Sequence, residues 1–274
     1  MPEHETLPPL ASGRIPHVGT YRRVLPVSLE RMYENALDWE HLPYVHASSF
    51  AAIRCLDAGQ WGWRAELTGA GGEASIIELL LDRRCHRWIT RNLEGPNAGA
   101  EIWTHVFALA PVAGAERIEI VVDFFVPDVP EAGRARVGQA YALLYATLYD
   151  EDVAMMVERQ AQLDRRVEGS RPDERRLALG PREVLDLPLR CTVAGRDYVV
   201  AEDAGSLVAY PAICPHALGP LARGPLGQGV VTCPWHGYRF DVRSGECLSG
   251  HSCRLSRLPV ISEESGTVVL TIPD

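Results

Sequence analysis

The sequence predicts an α+β protein in two parts: an antiparallel sheet wrapped on a long helix, then a small all-β unit. Three observations carry this expectation. Six strand-like segments, separated by Gly-rich or polar turns, crowd into residues 50–126. The run "PEAGRARVGQAYALLYATLYDEDVAMMVERQAQLDRRV" keeps a helical apolar period, with Pro130 near its start. After a charged segment the chain breaks into short apolar stretches rich in Gly and Pro. A curved sheet gripping a long helix buries both apolar faces and leaves a cavity between them.

In chain order, residues 1–18 form a Pro-rich leader and "YRRVLPVS" reads as a first strand. Leu29 to about His41 reads as a helix, with Leu29, Met32, Tyr33 and Ala36 on its apolar face. Strands follow at roughly 50–56, 60–68, 75–82, 86–93, 101–109 and 116–126, with turns such as "TGAGGE" and "EGPNAGAE". Tyr141, Leu144, Tyr145, Leu148 and Met155 mark the apolar face of the long helix. The first domain is expected to span 19–168. The charged, two-proline stretch 169–186 is the expected linker, and 187–274 the second domain.

Composition narrows the function classes. The chain has 274 residues, 46% hydrophobic and 23% charged, which fits a soluble globular protein. Its net charge of -9 argues against a nucleic-acid partner or an anionic membrane. No apolar run reaches the roughly 20 residues that span a bilayer, and no export signal is visible, so a cytoplasmic location is expected. All 27 basic residues are Arg, which excludes Schiff-base chemistry on a lysine. Seven Cys, an odd number, point to reduced thiols or metal ligands rather than a disulfide framework. Cys55, Cys85 and Cys191 read as small buried hydrophobes.

The C-terminal unit contains "CPHALGPL" and "CPWHGYRF", that is, Cys214-x-His216, sixteen intervening residues, then Cys233-x-x-His236. Two soft thiolates and two imidazoles on paired loops are the ligand set of a Rieske [2Fe-2S] centre, the thiolates on one iron and the histidines on the other. A structural zinc site usually presents its cysteines and histidines as separate pairs with longer spacings, unlike the mixed loops here. The unit resembles the Rieske domains of ferredoxins and ring-hydroxylating oxygenases. Gly219 and Trp235 stand where respiratory Rieske proteins usually carry an extra disulfide, which points to the lower-potential class. His251 and Cys253 read as surface or core residues.

"ENALDWEHLPYVH" contains Asn35-x2-Asp38-x2-His41-x4-His46, which resembles the iron-binding motif of Rieske non-haem iron oxygenases. Asp38 and His41 share a helical face, and Pro43 is expected to interrupt the helix and redirect the chain before His46. The family's third ligand is an acid on a late helix, and "YDEDVAMMVERQ" offers Asp150, Glu151 and Asp152. Asp152 lies within the apolar face, where a free carboxylate is costly, so it is the chosen ligand; Asp150 and Glu151 read as solvated acids. Trp61 and Trp63 alternate onto one sheet face, as do Trp103, His105 and Phe107. Core packing is the default for these aromatics, and the last three are candidate pocket residues.

The resemblance implies a helix-grip (START-like) catalytic domain followed by a Rieske domain, the reverse of the usual order. It implies a mononuclear Fe(II) on His41, His46 and Asp152, and a [2Fe-2S] cluster on Cys214, His216, Cys233 and His236. Asp38 would be the electron bridge between the two centres. It further implies O2 as co-substrate, NAD(P)H used through a separate reductase and perhaps a ferredoxin, and a homo-oligomer, a trimer by analogy. Hydroxylation or oxidative demethylation of a small apolar or aromatic substrate follows by the same analogy. The alternative is a non-catalytic electron carrier fused to a hydrophobic-ligand-binding domain; a third option places zinc in both sites.

Overall fold

The computed structural model describes residues 15–168 and 175–273. The expected leader before residue 15 and the first third of the expected linker lie outside the described residues. The chain divides into two compact units, Met1–Val157 and Glu158–Asp274.

The first unit runs β1 (His17–Leu25), α1 (Leu29–Leu37), α2 (Leu42–Val45), β2 (Phe50–Gly59), β3 (Gly62–Gly69), β4 (Ala74–Asp82), β5 (Arg87–Glu94), β6 (Glu101–Val112) and β7 (Ala115–Phe125). α3 (Glu131–Glu168) begins in this unit and runs into the next. The strands form one antiparallel sheet in the order β1-β7-β6-β5-β4-β3-β2. Each expected strand is present, because period-2 alternation and turn residues agree along this stretch. At the β6–β7 turn, Ala113 and Gly114 both take positive φ, the twist that a tight hairpin needs.

One face of the sheet supplies the core. Trp63, Ala65, Leu79, Leu81, Trp88, Ile102, Val106, Ile120, Val122 and Phe124 are buried there together with Tyr149 and Met156 of α3. Phe124 packs against Tyr141 and Tyr145, with ring centroids 5.2 Å apart in both cases. Burial of side chains this size contributes about 1.5–3 kcal/mol each. The helix face is rotated from the expected one. Leu144 is 40% exposed, whereas Tyr149 is 5% exposed, because positions 141, 145, 149, 152 and 156 make the continuous stripe at 100° per residue. α3 also meets β1 backbone to backbone. A Cβ on Gly138 would lie 2.1 Å from the Val18 carbonyl oxygen.

The expected helix from Leu29 to His41 ends early, at Leu37, and a separate one-turn helix begins at Leu42. Ser28 caps α1 by accepting from the Arg31 backbone N–H at 3.1 Å, and the helix ends at Leu37 with Asp38 as its C-cap. Pro43 therefore breaks no helix. It sits in the first turn of α2, where its missing N–H has no intrahelical partner to lose. His41 and His46 flank α2 as its two caps.

The second unit is all-β beyond the end of α3. Its strands are β8 (Arg176–Gly180), β9 (Leu189–Val193), β10 (Arg196–Asp203), β11 (Ser206–Pro211), β12 (Leu226–Gly227), β13 (Val230–Thr232), β14 (Arg239–Asp241), β15 (Val260–Glu264) and β16 (Thr267–Thr271). They pair as β11-β10-β9, β12-β13-β14 and β15-β16-β8. Residues expected as linker thus contribute a strand. Charge and proline obscure the alternation of "RLALG", whose Leu177 and Leu179 pack against the buried Val200, Leu270 and Ile272. Cys85 is exposed, and Cys55 and Cys191 are half-buried, so none of the three is the buried hydrophobe expected.

Candidate metal and cluster sites

The first unit gathers His41, His46 and Asp152, residues from two regions of the sequence. The imidazoles are brought together by α2, whose single turn converts a five-residue separation into adjacency, with ring centroids 5.1 Å apart. Asp152 enters from α3. All three are buried, at 3%, 2% and 9% exposure. His41 Nε2 lies 3.3 Å from His46 Nε2 and 3.4 Å from Asp152 Oδ1, while His46 Nε2 lies 3.0 Å from that same oxygen. Donors about 2.1 Å from one ion and roughly 90–110° apart stand about 3.0–3.4 Å from each other, so the triangle fits a two-histidine, one-carboxylate face. Asp152 Oδ1 has no hydrogen-bond partner despite its burial. This group is the one set of three ligand-type side chains with this proximity among the described residues.

One further carboxylate holds the outer nitrogen of His46, and another stands near that of His41. His46 Nδ1 donates to Glu151 Oε2 at 2.7 Å, which leaves Nε2 with its lone pair toward the triangle. Asp38 Oδ2 lies 3.6 Å from His41 Nδ1. Burial disfavours the His41 cation, but Asp152 and Asp38 outweigh it and push its pKa up to about 9. Burial likewise opposes the Asp152 anion, yet the two histidines hold its carboxyl below the usual carboxylate range. Asp150 behaves as expected of a solvated acid: it is 67% exposed and pairs with Arg23 at 2.6 Å. Glu151 does not, and nothing in helical phase alone marks it, because its partner lies 105 residues away.

The expected pocket residues lie elsewhere. Trp103, His105 and Phe107 do share a sheet face, but the alternate residues of β6 face the helix: Ile102 and Val106 join the core, and Thr104 bonds Tyr149. Trp103 Nε1 donates to Glu101 Oε2 at 3.1 Å, stacks with His105 and lies under Arg87. Phe107 is 51% exposed. Strand periodicity identifies which residues share a face, not which face meets the helix.

In the second unit two loops converge. Cys214 follows β11, and its N–H donates to Gly219 O at 2.7 Å; the Cys233 N–H donates to Tyr238 O at 2.8 Å. Leu218 and Gly237 turn the loops with φ of +67° and +66°. Cys214 and Cys233 are each 1% exposed, and their sulfurs share a hydrogen bond that lowers the Cys233 thiol pKa and raises that of Cys214. The His216 and His236 rings meet edge to face, centroids 4.7 Å apart. His236 is buried and His216 exposed. A Cβ on Gly219 would lie 2.8 Å from Cys233 Sγ, so glycine keeps space open beside the sulfur. Two thiols and two imidazoles from paired loops fit a mixed-ligand cluster. Tyr238 stacks on His216 at 4.4 Å and on His251 at 4.0 Å.

Comparison with known proteins agrees with this second site. The family model of the Rieske [2Fe-2S] domain matches residues 178–259, which include all four of these side chains. Apoptosis-inducing factor 3 of Mus musculus is 40% identical over 48 residues, 18% of this chain and 8% of that protein. The oxygenase component of dicamba O-demethylase from Stenotrophomonas maltophilia is 34% identical over 86 residues, 30% of this chain and 25% of that protein. The chain thus spans a quarter or less of the length of these curated relatives. A START superfamily protein from Mycobacterium smegmatis, 15% identical, superposes on 48% of this chain and 94% of its own with a TM-score of 0.39. No helix among the described residues is long and apolar enough to cross a membrane. The second unit therefore contains a Rieske [2Fe-2S] domain, which follows a domain built as an antiparallel sheet on a long helix.

Proposed function

We propose that this protein is a Rieske-type oxygenase component that uses O2 to hydroxylate or oxidatively demethylate a small apolar or aromatic molecule. The observation that carries this reading is the buried triangle of His41 Nε2, His46 Nε2 and Asp152 Oδ1, with sides of 3.0–3.4 Å. Cys214, His216, Cys233 and His236 hold the cluster, and the triangle holds a mononuclear ferrous ion. When bound, the cluster supplies electrons and the ferrous ion supplies an open coordination face for O2 and substrate. Electrons enter from a separate NAD(P)H-dependent reductase, directly or through a ferredoxin.

The chain's own residues do the rest. Glu151 keeps the His46 proton on Nδ1, so Nε2 presents a lone pair. By the family resemblance, Asp38 would link His41 to His216 or His236 of another chain. Tyr149 is buried and Tyr145 half-buried near Asp152, and desolvation pushes both phenols above their usual pKa, so they stay neutral and help keep water from the site.

Iron and acid-labile sulfide analysis of anaerobically purified protein tests the reading. About three irons and two sulfides per chain are expected, two irons in the cluster and one in the triangle. Two irons per chain would leave only the electron carrier fused to a ligand-binding domain, and zinc with no sulfide would remove both.

A further inference from the structure

Two cysteines outside the cluster loops oppose each other on neighbouring segments. Glu246 and Arg254 form an antiparallel bridge, and the Leu255 N–H donates to Gly245 O at 2.8 Å. One step further along the same register, Cys247 faces Cys253. Residues directly opposite in an antiparallel pair have Cα atoms about 4.5–5.5 Å apart, inside the range of about 4.4–6.8 Å that a disulfide spans. The side chains use this closeness: the two thiols share a hydrogen bond. Both cysteines are free, with Cys247 buried and Cys253 half-buried. The tip between them carries His251, whose ring stacks on Tyr238 and through it on His216.

We infer that Cys247 and Cys253 are a reversible oxidation site, a dithiol that a hydroperoxide converts to a disulfide. Cys253, the more accessible thiol, attacks one peroxide oxygen; the O–O bond breaks, water or an alcohol leaves, and the sulfur becomes a sulfenic acid. The Cys247 sulfur then attacks that sulfur, and the S–O bond breaks as water departs. The two thiols lose two protons and two electrons, and the peroxide gains both. Covalent closure tightens the segment that carries His251, so oxidation alters the ring stack beside the cluster ligand. The inference uses only the Rieske domain and does not depend on iron in the first unit.

The test uses the cluster-loaded full chain treated with stoichiometric hydrogen peroxide, then alkylated and digested with trypsin. Cleavage after Arg243 and Arg254 leaves both cysteines in one peptide, Ser244–Arg254, separate from the peptides that carry Cys214 and Cys233. The expected product is that peptide lighter by two hydrogen atoms, restored to two alkylatable thiols by dithiothreitol. In Cys247→Ser, Cys253 should instead advance to sulfinic acid, which dithiothreitol does not reverse. The electron paramagnetic resonance spectrum of the reduced cluster should shift on oxidation of the wild type and not of Cys253→Ser. Oxidation confined to the Cys214 and Cys233 peptides, or two alkylatable thiols in Ser244–Arg254 after peroxide, overturns the site. An unshifted spectrum with the disulfide formed overturns its link to the cluster.

Discussion

His46 donates from Nδ1 to Glu151 Oε2 over 2.7 Å, while its Nε2 stands 3.0 Å from Asp152 Oδ1. Two adjacent acids of one helix thus engage the two nitrogens of one ring: Glu151 accepts from Nδ1, and Asp152 stands beside Nε2. Glu151→Ala should weaken binding of a divalent metal roughly 10–100-fold, the usual effect of losing such an outer carboxylate. Glu151→Gln, which retains an acceptor, should fall between. Titration of the metal-free protein with Co(II), followed by its absorption bands, measures this; equal affinity in all three proteins would remove the positioning role.

His41→Ala should keep the visible spectrum of the cluster while the iron content falls by about one per chain and substrate oxidation is lost. Turnover at the wild-type rate in this variant would refute the assignment of iron to the triangle.

Gly219→Ala places a methyl group 2.8 Å from Cys233 Sγ and 3.1 Å from the Trp235 ring. The cluster should load poorly, seen as a lower ratio of visible to ultraviolet absorbance. Gly227→Ala, where a Cβ meets nothing within 4 Å, is the control expected to load normally.

Gly138→Ala drives its Cβ against the Val18 carbonyl and should destabilise the first unit by about 1–3 kcal/mol. Gly133→Ala meets only Val129 at 3.7 Å and should instead stabilise the helix by up to about 1 kcal/mol. Thermal unfolding of the two variants should move in opposite directions.

Asp197 is tied to Thr192, Arg190 and Arg165 at 2.7, 2.8 and 3.0 Å. Burial opposes its charge, but these partners outweigh it and lower its pKa. A lowered carboxyl pKa contributes stability above the unfolded value of about 3.9, and that contribution fades as pH falls through the folded value. Asp197→Asn should cost the second unit about 1 kcal/mol near neutrality and flatten its loss of stability below about pH 4. Parallel denaturation curves for the two proteins across that range would exclude this linkage.

Much of the architecture was legible in the residues. Alternation and turns marked the seven strands of the first sheet, and the apolar period marked α3 almost to its ends, because both signals are local. The cluster residues were legible for the same reason: each loop carries its own Cys and His within four positions. Three features were not. The apolar pattern continues through His41 and does not mark the end of α1 at Leu37, where Asp38 leaves helical geometry with ψ of +83°. The true face of α3 is the one that meets Phe124 of the sheet through Tyr141 and Tyr145, so Tyr149 is buried in place of Leu144. The strand at Arg176–Gly180 needs β16 as a partner, and its charged flanks resemble a linker when read alone.

By itself the sequence determined the sheet-on-helix unit followed by the small all-β unit, the residue types in each loop, and the burial of Asp152 beside an exposed Asp150, since alternation and helical phase are local facts. Only the tertiary structure decided that Glu151 serves His46, that Trp103, His105 and Phe107 turn away from the helix, and that Cys247 meets Cys253. Each of these depends on which surfaces face each other after the chain closes on itself, and no spacing along the chain encodes that.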